Sequence, residues 1–125
     1  MTVVTRPWGN WEVIREGNYG EIQYKVKFLT IEPDKSISLQ YHDHRAEYWT
    51  IVQGNARINL GEDIITNAGA GDMVSVPQGT IHKVQNVGTD PLVILELQMG
   101  SQTVEEDITR LQEVTLLELP NNGEE

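Results

Sequence analysis

Apolar residues in this chain fall in short runs, most of them alternating with polar positions, and turn formers separate the runs at close intervals. Such runs occupy Trp11–Ile14, Ile22–Ile31, Ser36–Tyr41, Tyr48–Val52, Ala56–Leu60, Met73–Val76, Ile81–Val87 and Leu92–Met99. They carry the period-two pattern and the β-branched or aromatic residues of half-buried strands. Between them stand Gly17-Asn18-Tyr19-Gly20, Glu32-Pro33-Asp34, Gln53-Gly54-Asn55, Asn67-Ala68-Gly69-Ala70-Gly71, Pro77-Gln78-Gly79 and Gly88-Thr89-Asp90-Pro91. These supply the positive or fixed φ that tight turns need. About eight strands at this spacing predict an all-β sandwich or barrel. No helical pattern alternates with the strands, which excludes a parallel βαβ sheet.

One helix is predicted near the end. Thr103 followed by Glu106 has the form of a capping box, and Ile108 and Leu111 would then share a helical face. From Pro120 to Glu125 nothing apolar remains to be buried, so a single domain over residues 1–119 and a disordered tail over 120–125 are expected.

Composition narrows the partners. Nine basic against nineteen acidic residues give a net charge of −10, which argues against nucleic acid and anionic membrane and leaves a small polar ligand as the natural partner. There is no cysteine, so any metal must be held by nitrogen and oxygen. No run is long and greasy enough to serve as a signal peptide or to span a bilayer, and a cytoplasmic setting is expected.

The histidines cluster in two places, His42 with His44 and then His82. Alternate residues of a strand share a face, so Gln40 and His42 can serve one ion if this segment is extended. Glu47, at the entry to the next strand, and His82, after the Pro77-Gln78-Gly79 turn, would complete a set of two imidazoles, a carboxylate and an amide. That set suits a first-row divalent metal. A second possibility replaces Gln40 by His44, since His42 and His44 are also a same-face pair.

Here the chain resembles the cupins. Gly71, Pro77, Gly79, His82 and Asn86 have the order and spacing of the second cupin motif. In the first motif, counted back from Gly54, Glu47 takes the glutamate position and Gln40 and His42 take the histidine pair. Glutamine at that place is similar to the type II phosphomannose isomerases. So are the blocks Arg6-Pro7-Trp8-Gly9, Tyr24-Lys25-Val26-Lys27, Ser38 to Glu47, Glu96 to Gly100 and Glu105 to Arg110, in that order. Asp34 stands where the first motif usually begins with glycine, and Tyr48 where the family usually has histidine.

The resemblance implies a double-stranded β-helix, or jelly-roll barrel, with Gln40, His42, Glu47 and His82 as metal ligands. Zinc is the expected ion, with manganese, cobalt, nickel and iron compatible. The implied reaction interconverts mannose 6-phosphate and fructose 6-phosphate through an enediolate, with Lys25, Lys27 or His44 as the base and Arg45 on the phosphate or the enediolate. Guanylyl transfer, the work of another half in bifunctional members, is not expected. A non-catalytic metal- and sugar-binding module and another cupin enzyme, such as a metal-dependent oxygenase, are the alternatives. A homodimer is expected, with Trp11 and Tyr19 on outer strands.

Overall fold

In a computed structural model the described residues are 2–111, and they form two antiparallel sheets facing each other. Strands β1 (Val3–Arg6), β2 (Gly9–Tyr19) and β3 (Ile22–Ile31) open the chain, and β4 (Gln40–Tyr41) and β5 (Arg45–Gln53) follow. Then come β6 (Ala56–Leu60), β7 (Asp63–Ala68), β8 (Met73–Val76), β9 (His82–Asn86), β10 (Leu92–Gly100) and β11 (Thr109–Arg110). One sheet has the order β1-β2-β3-β10-β5-β8 and the other β11-β4-β9-β6-β7.

Strand alternation sorts the side chains. In β3 the inward positions are Lys25, Lys27, Leu29 and Ile31; in β10 they are Leu92, Ile94, Glu96 and Gln98; in β5 they are Arg45, Glu47, Trp49 and Ile51. Pairing register stacks these into rows across the sheet. Leu29, Ile94 and Ile51 form one row, Lys27, Glu96 and Trp49 the next, and Lys25, Gln98 and Glu47 the one after. The interior is therefore apolar at one end, where Ile31, Ile37, Ile58, Val84 and Leu92 also pack, and polar at the other. A fully buried isoleucine or leucine contributes about 1.5–3 kcal/mol relative to exposure, so the apolar end anchors the fold and leaves the polar end for chemistry. A one-residue slip of β10 would exchange its two faces and put Glu96 and Gln98 outside.

Two turns show why particular residues stand where they do. Gly54 joins β5 to β6 at φ 95°, and a Cβ there would meet the backbone of Leu92 and Pro91 at 3.0 Å. Asp34 occupies the glycine place in the turn before β4 at φ 67°, a left-handed conformation that aspartate tolerates better than most residues. Asn86 braces the far end of β9 by donating from Nδ2 to the carbonyls of Ile31 and Asp90.

The structure corrects four expectations. The predicted C-terminal helix is absent among the described residues: a turn at Glu105 and Glu106 leads into β11, which pairs with β4. A helix would need the carbonyls of Thr103 and Val104 for its own amides. Instead Lys25 Nζ donates to Thr103 O at 2.7 Å, and the Asp107 amide closes a single turn onto Val104 O at 3.2 Å, a carbonyl that Arg45 Nη1 also reaches at 3.2 Å. The strand expected over Ser36–Tyr41 is reduced to Gln40–Tyr41, with a single bridge from Ser36 to Gln85. Strands β1, β7 and β11 were not expected. Trp11 turns from the outer surface to the interior, where Lys27 Nζ lies 3.8 Å from its ring centroid. The tail from Pro120 lies outside the described residues.

Candidate functional site

The polar end holds a cavity of about 500 Å³, lined among others by Gln40, Arg45, Glu47, His82, Glu96 and Gln98. His42, Glu47 and His82 meet at this end, all buried, with potential ligand atoms within 4.8 Å of one another. His42 Nε2 is 3.1 Å from Glu47 Oε2, and His82 Nε2 is 3.9 Å from Glu47 Oε1. The two imidazole centroids are 5.0 Å apart.

Local structure aims each ring. His42 leaves β4 and its Nδ1 lies 2.7 Å from Asp107 O; His82 opens β9 and its Nδ1 lies 2.9 Å from Thr80 O. An imidazole that donates Nδ1–H to a carbonyl directs Nε2 forward, the outer-shell arrangement that metal-ligating histidines use. Gly79 N donates to His42 O at 2.8 Å and joins the two histidine loops. Asp107 fixes the first loop further: its carboxylate accepts the amides of Asp43 and His44, both at 2.9 Å.

The electrostatics suit a cation. Burial alone would push the Glu47 carboxyl up, but contacts with His42 and Glu96 and the charge of Arg45 hold it well below the usual carboxylate range. Burial lowers the His82 imidazole, against the attraction of Glu47, and keeps it neutral with a free lone pair. With that lone pair free, His82 Nε2 and the Glu47 carboxylate 3.9 Å away are two acceptors facing each other, which a shared cation resolves. Gln98 Oε1 adds a buried acceptor without a donor among the described residues, a cost of about 1–3 kcal/mol that a hydroxyl or water removes. The donor set of two imidazoles and a carboxylate thus fits a divalent metal.

The remaining expected residues take different places. Gln40 lies opposite His82 in register, and its amide nitrogen donates to Ser38 O at 3.0 Å and to Ser38 Oγ at 3.1 Å. The amide oxygen is thus the atom it can offer to an ion. Arg45 is 5% exposed and committed: Nε donates to Glu47 Oε2 at 2.9 Å, and Nη2 lies 2.9 Å from the same oxygen and 3.3 Å from His42 Nε2. Lys27 lines the cavity and pairs with Glu105 at 2.7 Å. Lys25 also reaches Glu105, at 3.3 Å, and is held by Thr103 O. His44 is exposed and stands outside the buried group.

Glu96 and Gln98 were not singled out from the sequence. Trp49 Nε1 donates to Glu47 Oε1 at 3.1 Å and to Glu96 Oε2 at 3.2 Å, while Gln98 Nε2 donates to Glu96 Oε1 at 3.0 Å. Burial, and then the adjacent Glu47 charge, push the Glu96 carboxyl well above the usual range. Of the two neighbouring carboxyls, Glu96 is the one held toward its protonated form. A signal was available: both residues share parity with Leu92 and Ile94, the inward positions of an otherwise apolar strand.

Comparison with known proteins agrees with this geometry. Residues 1–113 match the sequence family described as mannose-6-phosphate isomerase C-terminal. A mannose-1-phosphate guanylyltransferase of Salmonella muenchen is 39% identical over 109 residues, 87% of this chain and 22% of that protein. An alginate biosynthesis protein of Pseudomonas putida is 36% identical over 111 residues, 89% of this chain and 22% of that protein. The chain thus spans about a fifth of these relatives' length. Among solved structures, a cupin-2 domain of Rhodospirillum rubrum superposes with a TM-score of 0.70 at 17% identity, covering 86% of this chain and 68% of the other. An oxalate decarboxylase of Lactobacillus farciminis gives 0.69 at 21% identity over 95% and 36%. These likenesses establish the fold as the cupin double-stranded β-helix.

Proposed function

Because the chain belongs to the mannose-6-phosphate isomerase C-terminal family, we propose that it interconverts mannose 6-phosphate and fructose 6-phosphate with the help of one divalent metal ion. The observation that carries this reading is the convergence of His42, Glu47 and His82, buried at the polar end of the barrel beside a cavity with room for a hexose. A cation held by these three, with Gln40 as a further ligand, would supply Lewis acidity toward the sugar's carbonyl and hydroxyl oxygens. Zinc is the first candidate for a site of this donor set.

The chain's own residues have separate tasks. Arg45 keeps Glu47 ionised and presents a buried positive charge beside the place where enediolate charge develops, which favours the transition state over the ground state. Gln98 Oε1 offers an acceptor to a sugar hydroxyl. Moving a proton between C1 and C2 requires a group within reach of both carbons. Lys27 is the candidate, because it lines the cavity and Lys25 and His44 do not; its ion pair with Glu105 at 2.7 Å must open before it can take a proton. Trp8 and Trp11 wall the cavity and shield the reaction from water.

The test is direct. Protein loaded separately with zinc, manganese, cobalt or nickel is assayed for interconversion of the two hexose phosphates, with bound metal confirmed by elemental analysis. Turnover that disappears in His82→Ala is the expected result. Metal-loaded protein without turnover under any ion would refute the isomerase reading. Thermal stabilisation by the sugar phosphate without product would instead mark a binding module.

A further inference from the structure

The cationic side chains lining the cavity divide into two kinds. Lys27 and Arg45 are 3% and 5% exposed and already engage Glu105 and Glu47. Arg6 and Arg110 are exposed, and among the described residues neither engages a carboxylate. Arg6 Nη1 reaches only the carbonyl of its neighbour Thr5, at 3.4 Å.

Topology explains how two residues so far apart in sequence border one opening. Arg6 ends β1, the outermost strand of the six-stranded sheet, and Arg110 lies on β11, the outermost strand of the five-stranded one. The cavity therefore meets the outermost strand of each sheet among the described residues. Arg110 pairs with Gln40, and Gln40 pairs with His82. Directly opposed residues of antiparallel strands share a face and lie about 4.5–5.5 Å apart, so the Arg110 Cα is about 10 Å from that of His82. The row runs from the metal group to the rim, and an arginine side chain extends the reach beyond it.

We propose that Arg6 and Arg110 form an anion clamp at the cavity mouth, which receives the phosphate of a phosphorylated sugar while the other end of that sugar meets the His42, Glu47 and His82 group. The identity of the sugar rests on the isomerase reading; the clamp rests on two guanidiniums that meet no carboxylate among the described residues and on their place in the sheets. Paired guanidiniums hold phosphate through charge-assisted, often bidentate bonds. They are needed here because the chain's net charge of −10 repels a dianion. Glu106, exposed on the same wall, opposes them.

Binding of inorganic phosphate, measured by calorimetry before and after metal loading, separates phosphate on the arginines from phosphate on the metal. Arg6→Gln and Arg110→Gln should each weaken metal-free binding about tenfold. Glu106→Gln should tighten it, and the exposed control Arg15→Gln should leave it unchanged. In the isomerase assay the two clamp variants should raise KM more than they lower kcat. Wild-type protein that binds no phosphate without metal, or clamp variants that bind it as the control does, would overturn the clamp. Phosphate binding that depends on both arginines, in a protein that turns over no hexose phosphate, would leave the clamp standing and remove the isomerase reading.

Discussion

Asp107→Ala isolates the support of a candidate metal ligand from the ligand itself. The Asp107 carboxylate accepts the backbone amides of Asp43 and His44 at 2.9 Å each, and its backbone carbonyl holds His42 Nδ1 at 2.7 Å. The substitution keeps that carbonyl but frees the loop that aims it at the ring. Hydrogen bonds to a charged group contribute about 1.5–3 kcal/mol each. Solvent near these amides places each loss at the lower end, about 3 kcal/mol for the two bonds in the metal-free protein. Removing an outer-shell support of a metal-ligating histidine costs about 10–100-fold in metal affinity, or about 1.4–2.7 kcal/mol. The assay is competition for zinc with a chelator of known affinity, alongside urea denaturation of the metal-free form. Asp43→Ala is the control, because Asp43 contributes its backbone amide, which the substitution retains. Zinc affinity in Asp107→Ala equal to that of Asp43→Ala would refute the claim that this carboxylate positions His42.

Further expectations concern stability. A Cβ at Gly100 would stand 2.0 Å from His44 O, so Gly100→Ala must push the start of β5 away from β10 and should cost on the order of 2–4 kcal/mol; a urea midpoint within error of wild type would contradict this. Asp34→Gly relieves a left-handed residue at φ 67° and should be neutral or stabilising by up to about 1 kcal/mol, read as an unchanged or raised Tm; a marked fall would show that the aspartate side chain holds the turn. Burial would raise the Glu105 carboxyl, yet Lys27 and Lys25 hold it below its ordinary value of 4.5. A depressed folded-state pKa means that this stabilisation is present above about pH 4.5 and fades as pH falls through the lower folded value. Glu105→Gln should therefore flatten the acid limb of the stability profile, modestly because the side chain is 40% exposed; an unaltered limb would count against the pairing.

Much of the barrel was legible because strand alternation and turn chemistry act between near neighbours. Met73–Val76 matched outright, and Ile22–Ile31 and Ala56–Leu60 did as well, since their patterns are carried by consecutive side chains. The buried trio His42, Glu47 and His82 was legible for a related reason: motif spacing records where two loops must face one another. The short β11 was not, because Thr103 and Glu106 do carry a local helix signal. What overrides it are Lys25 and Arg45, which reach the carbonyls of residues 103 and 104 from distant strands and hold this segment to one turn, closed by Asp107 N on Val104 O.

The same division holds for the chemistry. Residue type and order along the chain determined an all-β domain with a nitrogen and oxygen donor set that could hold a metal, because these depend on period-two alternation and on the side chains available. Which charges are spent and which are free was decided only by the tertiary structure. Arg45, expected on the phosphate or the enediolate, is buried against Glu47, while Arg6 and Arg110, at opposite ends of the described chain, reach one cavity from the outermost strands of two sheets. Strand register between distant segments sets these pairings, and with them the hold on Glu96 toward its protonated form and the ionised state of Glu47. Burial and neighbouring charge fix protonation, and both exist only once the sheets have closed.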